Sequence, residues 1–225
     1  MRTKGKDKEK LEKADAIVQA YKRLYKLKLN RGASGNISVK TKNGFLITPS
    51  GVSTERLNKE YLVELDNLGT PIVGSNPSSE WCLHAEIYKS KREVGAVVHT
   101  HSNFACALSS LHEDLPPFSY MVAVAGGKDV RCCDYAIFGS RELANKVVEA
   151  LKGRKACLMA NHGLVCCGED LTEAMYLAVE LEALCEQYMI ARSIGEVKVL
   201  SDTEMKMVLE KFENYGHIKR KSKVK

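Results

Sequence analysis

The sequence predicts an α/β fold in which a central, mostly antiparallel sheet is flanked by helices. The 225 residues include 44% hydrophobic and 28% charged residues, which is the balance of an ordinary globular chain. Segments with apolar residues at helical spacing are interspersed with short apolar runs bounded by turn residues. Because these strands come in consecutive groups rather than alternating strictly with helices, antiparallel pairing is favoured over repeated βαβ units.

Helical periodicity opens the chain, since apolar residues recur at three- and four-residue intervals from about position 10 to position 29. A second helix is predicted from Ser79 to about position 91, because the Ser79 hydroxyl can cap the free backbone amides of a first turn. The longest helix is predicted over 170–194, where Asp170 and Glu173 have capping-box spacing. Further helices are predicted at 103–111, from Ser140 onward and from Ser201 to position 212. Strands are predicted at 37–39, 45–48, 61–65, 94–99, 120–125 and 156–160.

The chain is predicted to form a single domain over residues 1–225, because no repeat, low-complexity block or linker divides it. The formal net charge is +6, and lysines cluster at both ends of the chain. We interpret these ends, at about residues 1–9 and 217–225, as flexible solvated tails and do not expect nucleic-acid binding. No apolar run approaches the roughly 18 residues of a membrane span, and no secretory signal is recognisable. A cytoplasmic protein is therefore predicted, with no membrane partner.

The eight cysteines do not follow a metal-ribbon or redox pattern. Four of them form adjacent pairs at 132–133 and 166–167, and the others lie in apolar segments without a C-x-x-C spacing. We therefore expect buried, reduced thiols rather than a disulfide framework.

Three histidines carry the clearest chemical signal. His99 and His101 end a predicted strand, where residues two apart point to the same side and can share one metal ion. This spacing alone is equally consistent with one structural and one exposed histidine. His162 follows another strand, in a loop that can project its ring into a cleft. Three imidazoles without a cysteine resemble catalytic zinc sites that keep one position open, although manganese, cobalt and iron also accept such ligands.

Glu80 lies in the first turn of the second predicted helix. Its carboxylate could bind the metal or act as a base, but it could equally stabilise the helix N-terminus by a few tenths of a kcal/mol. The residue pattern alone slightly favours that second interpretation. His84 follows one helical turn later and is interpreted as a packed or supporting residue, whereas His112 and His217 are assigned no role.

Three loop segments are suited to binding an anion. Residues 32–36, 48–51 and 78–79 are rich in glycine, serine, threonine and asparagine, and the last of them begins a helix. Such segments can present backbone amides and hydroxyls to a phosphate. Each one taken singly is ordinary turn chemistry. The basic balance of the chain also suits a small anionic substrate.

Five motifs together resemble the class II aldolase/adducin family in order and spacing. They are NRGASGN at 30–36, TPSG at 48–51, SSEW at 78–81, HTH at 99–101 and NHG at 161–163. The resemblance covers the chain apart from its basic ends, and segments 120–127 and 135–143 resemble the fuculose-phosphate aldolase branch. It implies a three-layer αβα fold and a homotetramer with active sites at the subunit interfaces.

The resemblance also implies a set of site residues. His99, His101 and His162 would bind one Zn²⁺ per subunit, and Glu80 would be both a ligand of the resting metal and the general acid/base. The implied contacts to the substrate phosphate are Asn36, Ser50, Gly51, Ser78 and Ser79.

Two tyrosines complete the implied site. Tyr120 would act on the aldehyde-side hydroxyl in the site of a neighbouring subunit, and Tyr215 would close over the site. Ala33 departs from the pattern, because bacterial fuculose enzymes carry a threonine there, so we expect one phosphate contact to be missing.

The implied reaction is the reversible cleavage of L-fuculose 1-phosphate, a small sugar phosphate, to dihydroxyacetone phosphate and L-lactaldehyde. An aldolase for 5-deoxyribulose 1-phosphate or 5-methylthioribulose 1-phosphate is the nearest alternative. A ribulose-phosphate 4-epimerase is less favoured, because that branch carries aspartate where Glu80 stands, and a pentulose dehydratase is weaker still. A non-catalytic, adducin-like binding module is disfavoured by the intact histidines together with Glu80 and Tyr120.

Overall fold

The structure is a computed structural model that describes residues 2–213, so Tyr215 and the basic segment 217–225 lie outside the described residues. The helices are α1 (Arg2–Lys26), α2 (Trp81–Ser90), α3 (Asn103–Ser109), α4 (Arg141–Ala150), α5 (Leu171–Ile194) and α6 (Asp202–Glu213). The strands are β1 (Asn36–Lys40), β2 (Gly44–Ile47), β3 (Val63–Asp66), β4 (Pro71–Val73), β5 (Ala96–Thr100), β6 (Cys132–Cys133), β7 (Ala156–Met159) and β8 (Gly163–Gly168). Lys59–Tyr61 and Tyr120–Ala125 form short 3₁₀ helices.

The strands form one eight-stranded sheet in the order β4-β3-β2-β1-β5-β8-β7-β6. Every neighbouring pair is antiparallel except β6 and β7, which run parallel. The predicted mostly antiparallel sheet is therefore confirmed. Its centre is β5, which pairs with β1 on one side and with β8 on the other.

Helices cover both faces of the sheet, which confirms the three-layer αβα architecture. Because side chains alternate along a strand, β5 sends Val98 into one apolar layer and Val97 into the other. The first layer contains buried residues of α1, α3 and α5, and the second contains residues of α2 and α4. Among the described residues, no helix combines the length and apolar character needed to cross a bilayer.

Helix α1 begins at Arg2, well before the predicted start near residue 10, so the backbone of the basic segment 2–9 is helical. Lysine, which occurs three times in this segment, is a good helix former. The predicted cap of α5 is present, since Asp170 accepts from the Glu173 amide. Helix α4 starts after Ser140 as predicted, and the Ser140 hydroxyl accepts from the Leu143 amide.

Two local predictions were wrong. Residues 120–125 form a 3₁₀ helix instead of a strand, because the Ser119 hydroxyl caps the amide of Met121 and Gly126 ends the turn with a φ of 83°. The N-cap of α2 is Glu80 rather than Ser79, and the Glu80 side chain makes no capping hydrogen bond. Its carboxylate is turned towards neighbouring side chains instead.

Gly163, the first residue of β8, permits a close approach of two central strands. A β-carbon added there would lie 2.3 Å from the carbonyl oxygen of Thr100 on β5. Because that oxygen belongs to the backbone of a paired strand, it cannot move aside without opening the sheet.

We expect Gly163→Ala to lower the free energy of unfolding by at least about 2 kcal/mol, because overpacking a close contact forces backbone shifts. The measurement is the urea midpoint of the purified chain. Gly195→Ala is the control, because an added β-carbon there meets nothing within 4 Å. It should change stability by less than about 0.5 kcal/mol. An unchanged midpoint for Gly163→Ala would contradict the close packing of β8 on β5.

Candidate active site

His99 is fully buried near the end of β5, and its orientation is fixed by the neighbouring strand. Its Nδ1 lies 3.0 Å from the carbonyl oxygen of Leu164 on β8. A carbonyl oxygen only accepts, so Nδ1 must carry the hydrogen and donate. In the neutral ring this leaves the lone pair on Nε2, which is the arrangement found in metal-binding histidines.

His101 and His162 lie next to the paired strands β5 and β8, directly after the end of β5 and directly before the start of β8. His101 follows β5, and its backbone amide donates to the Asn30 side chain at 3.0 Å. His162 lies in the tight turn between β7 and β8, where its amide donates to the Met159 carbonyl at 3.0 Å. The centroids of the His101 and His162 rings lie 4.7 Å and 4.9 Å from the centroid of the His99 ring. The fold therefore brings His162 next to His99 and His101, which lie far from it in the sequence.

Glu80 faces the three histidines from the N-terminus of α2. Its Oε2 lies 3.1 Å from Nε2 of His99, and its Oε1 lies 3.2 Å from Nε2 of His162. The Nε2 atoms of His99 and His101 are 2.8 Å apart. Each of the four residues offers one ligand atom, and these atoms all lie within 4.8 Å of one another.

This cluster is suited to a divalent cation. Glu80 Oε1 is buried and finds no hydrogen-bond partner within residues 2–213, although it lies close to His162. A buried carboxylate oxygen without a partner is costly, and an ion at the centre would satisfy it. Three imidazoles and a carboxylate are also ligands that zinc accepts in catalytic sites.

Charge and burial favour the metal-binding protonation states of Glu80, His101 and His162. Burial is the largest influence on Glu80 and would raise its pKa, but His99, His162 and the Asn36 amide together hold that pKa well below its ordinary value. Burial, followed by the neighbouring imidazoles, lowers the pKa of His101 to about 3. Burial and His99 lower the pKa of His162 to about 4.

His99 shows the opposite shift. Burial, again the largest influence, would lower its pKa, but the Glu80 carboxylate and the Leu164 carbonyl outweigh it, and the pKa is raised. The Glu80 charge therefore depends most strongly on His99, the ring that it contacts at 3.1 Å.

A cavity of about 400 Å³ opens beside the cluster. Its wall includes Glu80, His101 and His162, whereas His99 lies buried behind them. All five predicted phosphate contacts also line it, namely Asn36, Ser50, Gly51, Ser78 and Ser79. Three of the four predicted metal ligands and all five predicted phosphate contacts therefore line one cavity.

Three further residues define the chemistry of this wall. Ala33, where the family pattern has a threonine, lines the cavity and offers no hydroxyl. Tyr135 and Phe138 form an aromatic rim that the sequence analysis did not single out. Their signal in the sequence was weak, because single aromatic residues in a loop are more often surface residues than ligand contacts.

Tyr120 is not part of this cavity. Its side chain is 57% exposed, and its ring lies 6.5 Å from that of Phe212 on α6, in a separate cavity beside α5. Within one chain the structure therefore does not bring Tyr120 to the histidines. Tyr215 lies outside the described residues.

A buried row of polar side chains supports Glu80. Asn36 Nδ2 donates to Glu80 Oε2 at 2.9 Å, and Asn36 Oδ1 contacts His84. Ser38 and Tyr88 continue the row behind His84. The four-residue spacing of Glu80, His84 and Tyr88 was the signal in the sequence that could have identified this row.

The loop that carries His162 has a second support that sequence reasoning missed. His112 Nε2 lies 2.5 Å from Oδ1 of Asn161, the residue before His162. Both His112 and Asn161 adopt left-handed backbone angles, with φ of 56° and 55°. Non-glycine residues take this conformation rarely, and often at functional sites.

Comparison with known proteins agrees with the geometry. Residues 15–189 match the family described as "Class II Aldolase and Adducin N-terminal domain". A 5-methylthioribulose-1-phosphate/5-deoxyribulose-1-phosphate aldolase of Rhodospirillum rubrum is 44% identical over 200 residues, covering 89% of this chain and 90% of that protein. An L-fuculose phosphate aldolase of Escherichia coli is 42% identical over 209 residues, covering 92% of this chain and 97% of that protein.

A solved structure of an L-fuculose 1-phosphate aldolase has the same fold. It superposes with a TM-score of 0.87 at 36% identity, covering 90% of this chain and 96% of that one. The family match spans most of the chain, and two kinds of aldolase exceed 40% identity over nearly its whole length. This protein is therefore a member of the class II aldolase/adducin family and a metal-dependent aldehyde-lyase.

Proposed function

We propose that this protein is a zinc-dependent aldolase that reversibly cleaves L-fuculose 1-phosphate to dihydroxyacetone phosphate and L-lactaldehyde. The observation that carries the proposal is the convergence of Glu80, His99, His101 and His162 beside a cavity lined with hydroxyl and amide groups. The 42% identity to the E. coli L-fuculose phosphate aldolase supports this choice of substrate.

One Zn²⁺ per subunit would be held by His99, His101 and His162, with Glu80 as the fourth ligand. When bound there, zinc supplies Lewis-acid polarisation of the substrate carbonyl. The hydrogen bond from His99 Nδ1 to Leu164 keeps that ring in the tautomer with Nε2 free. The ligands come from β5, the β7–β8 turn and the start of α2, so the packed sheet and helix hold them in place.

Glu80 is the proposed general acid/base. Its pKa is held well below the ordinary value, so the carboxylate is ionised. In this form it would accept a proton from a carbon next to the carbonyl. In the cleavage direction the same carboxyl returns that proton to the carbon left by the departing aldehyde. The Asn36 amide holds one carboxylate oxygen, which limits the rotation of the group.

The substrate phosphate is proposed to bind Asn36, Ser50, Gly51, Ser78 and Ser79. These residues line the cavity, and Ser78 and Ser79 lie just before the N-terminus of α2, whose positive end favours an anion. Binding the phosphate away from the reacting carbons would convert binding energy into orientation at the metal.

Tyr120 is proposed to serve the site of a neighbouring subunit in a homotetramer. In support, it is exposed and lies outside the cavity of its own chain. Tyr215 is proposed to close over the site. We further propose a cytoplasmic location and a single domain with its active sites at the subunit interfaces.

A second candidate substrate is favoured by a specific comparison. The R. rubrum relative, at 44% identity, is named for 5-methylthioribulose 1-phosphate and 5-deoxyribulose 1-phosphate. These substrates would give the same dihydroxyacetone phosphate with an aldehyde that lacks the hydroxyl of L-lactaldehyde. The two candidate substrates therefore differ in the half that leaves as the aldehyde, and the residues that bind this half decide between them.

The metal proposal predicts one zinc ion per chain after zinc loading and dialysis, measured by elemental analysis. His99→Ala should retain well under half of that amount, because it removes the buried central ligand. His217→Ala is the matched control and should retain all of it. Equal zinc contents in wild type and His99→Ala would contradict the proposed ligands.

The acid/base proposal predicts that Glu80→Gln lowers the rate of cleavage by about 10²- to 10⁴-fold, because the amide cannot exchange the proton. The assay is release of dihydroxyacetone phosphate by the zinc-loaded chain. Glu86→Gln changes a carboxylate on the same helix that pairs with Lys89, and should leave the rate within about twofold. A Glu80→Gln enzyme of near wild-type rate would exclude Glu80 as the acid/base.

The substrate proposal predicts a higher kcat/KM for L-fuculose 1-phosphate than for 5-deoxyribulose 1-phosphate, by at least about tenfold. A site built to bind the extra hydroxyl of the aldehyde half discriminates strongly against its loss. Chelation should abolish both activities and zinc should restore them. A higher kcat/KM for 5-deoxyribulose 1-phosphate than for L-fuculose 1-phosphate would favour the second candidate substrate instead.

A further inference from the structure

Five buried side chains form a polar ladder between α2 and β1. Glu80, His84 and Tyr88 are four residues apart, so they lie on one face of the helix. Asn36 and Ser38 are two residues apart on β1, so they point to the same side of the sheet. All five side chains are almost completely buried.

The ladder is continuous from the Glu80 carboxylate to the Tyr88 phenol. Asn36 bridges Glu80 Oε2, at 2.9 Å, and Nε2 of His84. On the other side of the ring, His84 Nδ1 lies 2.7 Å from the Ser38 hydroxyl oxygen. The same oxygen lies 2.8 Å from the hydroxyl of Tyr88.

The donors and acceptors in this ladder can be assigned one after another. An ionised carboxylate only accepts, so the NH₂ group of Asn36 faces Glu80 and its carbonyl oxygen faces His84. His84 Nε2 must therefore carry a hydrogen and donate to Asn36. Burial lowers the pKa of His84 to about 3, so the ring is neutral and its Nδ1 accepts.

The remaining two bonds follow from that tautomer. Because Nδ1 of His84 accepts, the Ser38 hydroxyl donates to it. The Ser38 oxygen then accepts from the Tyr88 hydroxyl, which burial keeps protonated by raising its pKa. Every bond in the ladder thus donates in the direction of Glu80. Hydrogen bonds aligned in this way polarise and strengthen one another.

The ladder makes the two oxygens of Glu80 unequal. Oε2 receives the last hydrogen bond of the ladder and lies 3.1 Å from Nε2 of His99, whereas Oε1 is buried and has no hydrogen-bond partner among the described residues. Glu80 also lines the cavity, where a substrate would lie.

We infer that His84, backed by Ser38 and Tyr88, is a positioning residue that anchors Glu80 Oε2, so that Oε1, which would bind the resting metal, becomes the oxygen that exchanges a proton with the substrate once the substrate takes its place at the metal. The inference rests on the proposed function, in which Glu80 is the acid/base. In the synthetic direction the C–H bond of dihydroxyacetone phosphate breaks, an O–H bond forms at Oε1, and the electron pair stays on the substrate. Oε2 then becomes the carbonyl oxygen of the acid and still accepts from Asn36.

The variants are chosen to separate positioning from stability. His84→Leu removes both hydrogen bonds of the ring. His84→Gln places an amide NH₂ near the position of Nε2, so it can still donate to Asn36. Tyr88→Phe removes the first donor of the ladder and keeps the shape of the side chain.

The test is the exchange of a carbon-bound hydrogen of dihydroxyacetone phosphate with deuterium from solvent, followed by NMR with the zinc-loaded full chain. This half-reaction uses Glu80 without an aldehyde or a carbon–carbon bond cleavage. We expect His84→Leu to lower the maximal exchange rate by about 10- to 100-fold, the usual effect of losing a hydrogen bond behind an active-site ligand. His84→Gln should recover most of the rate, and Tyr88→Phe should cause a smaller loss. The KM and the zinc content should stay at wild-type values.

The outcomes separate the inference from the function on which it rests. Absence of exchange in zinc-loaded wild type would overturn the proposed function and the inference with it. Wild-type exchange in His84→Leu, or equal losses in His84→Leu and His84→Gln, would overturn the inference alone. If His84→Leu does not fold, the exchange rate of the Tyr88→Phe variant tests the inference instead. A lower exchange rate at unchanged KM and zinc content supports the ladder, and a wild-type rate overturns it.

Discussion

The pairing of β5 with β1 and β8 is the constraint on which the site depends. Its register sets Asn36 opposite His99 on one side and Val165 opposite His99 on the other. It also brings the Leu164 carbonyl to the His99 ring and the turn carrying His162 to the end of β5. A shift of one residue would turn His99 to the other face of the sheet, so the site and the sheet register are specified together.

Burial gives this arrangement its chemical character. A carboxylate and three imidazoles converge in a region where isolated charge is unfavourable, and one carboxylate oxygen makes no hydrogen bond within the part of the chain that the structure describes. The Asn36 amide and the ladder behind it stabilise the charge on the other oxygen of Glu80. The adjacent cavity is lined by Glu80 and by small polar residues such as Ser78 and Ser79, so the proposed acid/base and the proposed phosphate contacts lie side by side.

Much of the site was predictable from the sequence, because its ligands fall at informative spacings. The two-residue spacing of His99 and His101 indicated a shared face, and the loop position of His162 indicated a projecting ring. Glu80 could not be assigned from its pattern alone, since a glutamate in a first turn is common. Its place in the cluster became apparent only in the fold, where its carboxylate faces the histidines and lies beside Asn36 of β1. The segment 120–125 was mispredicted because an apolar run cannot reveal whether a neighbouring strand will pair with it.

Zinc-edge X-ray absorption spectroscopy of the zinc-loaded chain gives the most direct test of the proposed zinc ligands. Three histidines and Glu80 predict scattering from nitrogen and oxygen alone, at about 2.0 to 2.2 Å. The chain contains eight cysteines, so a sulfur ligand is a real alternative. A sulfur shell at about 2.3 Å would contradict the proposed ligands, because zinc would then lie outside the cluster formed by Glu80 and the histidines.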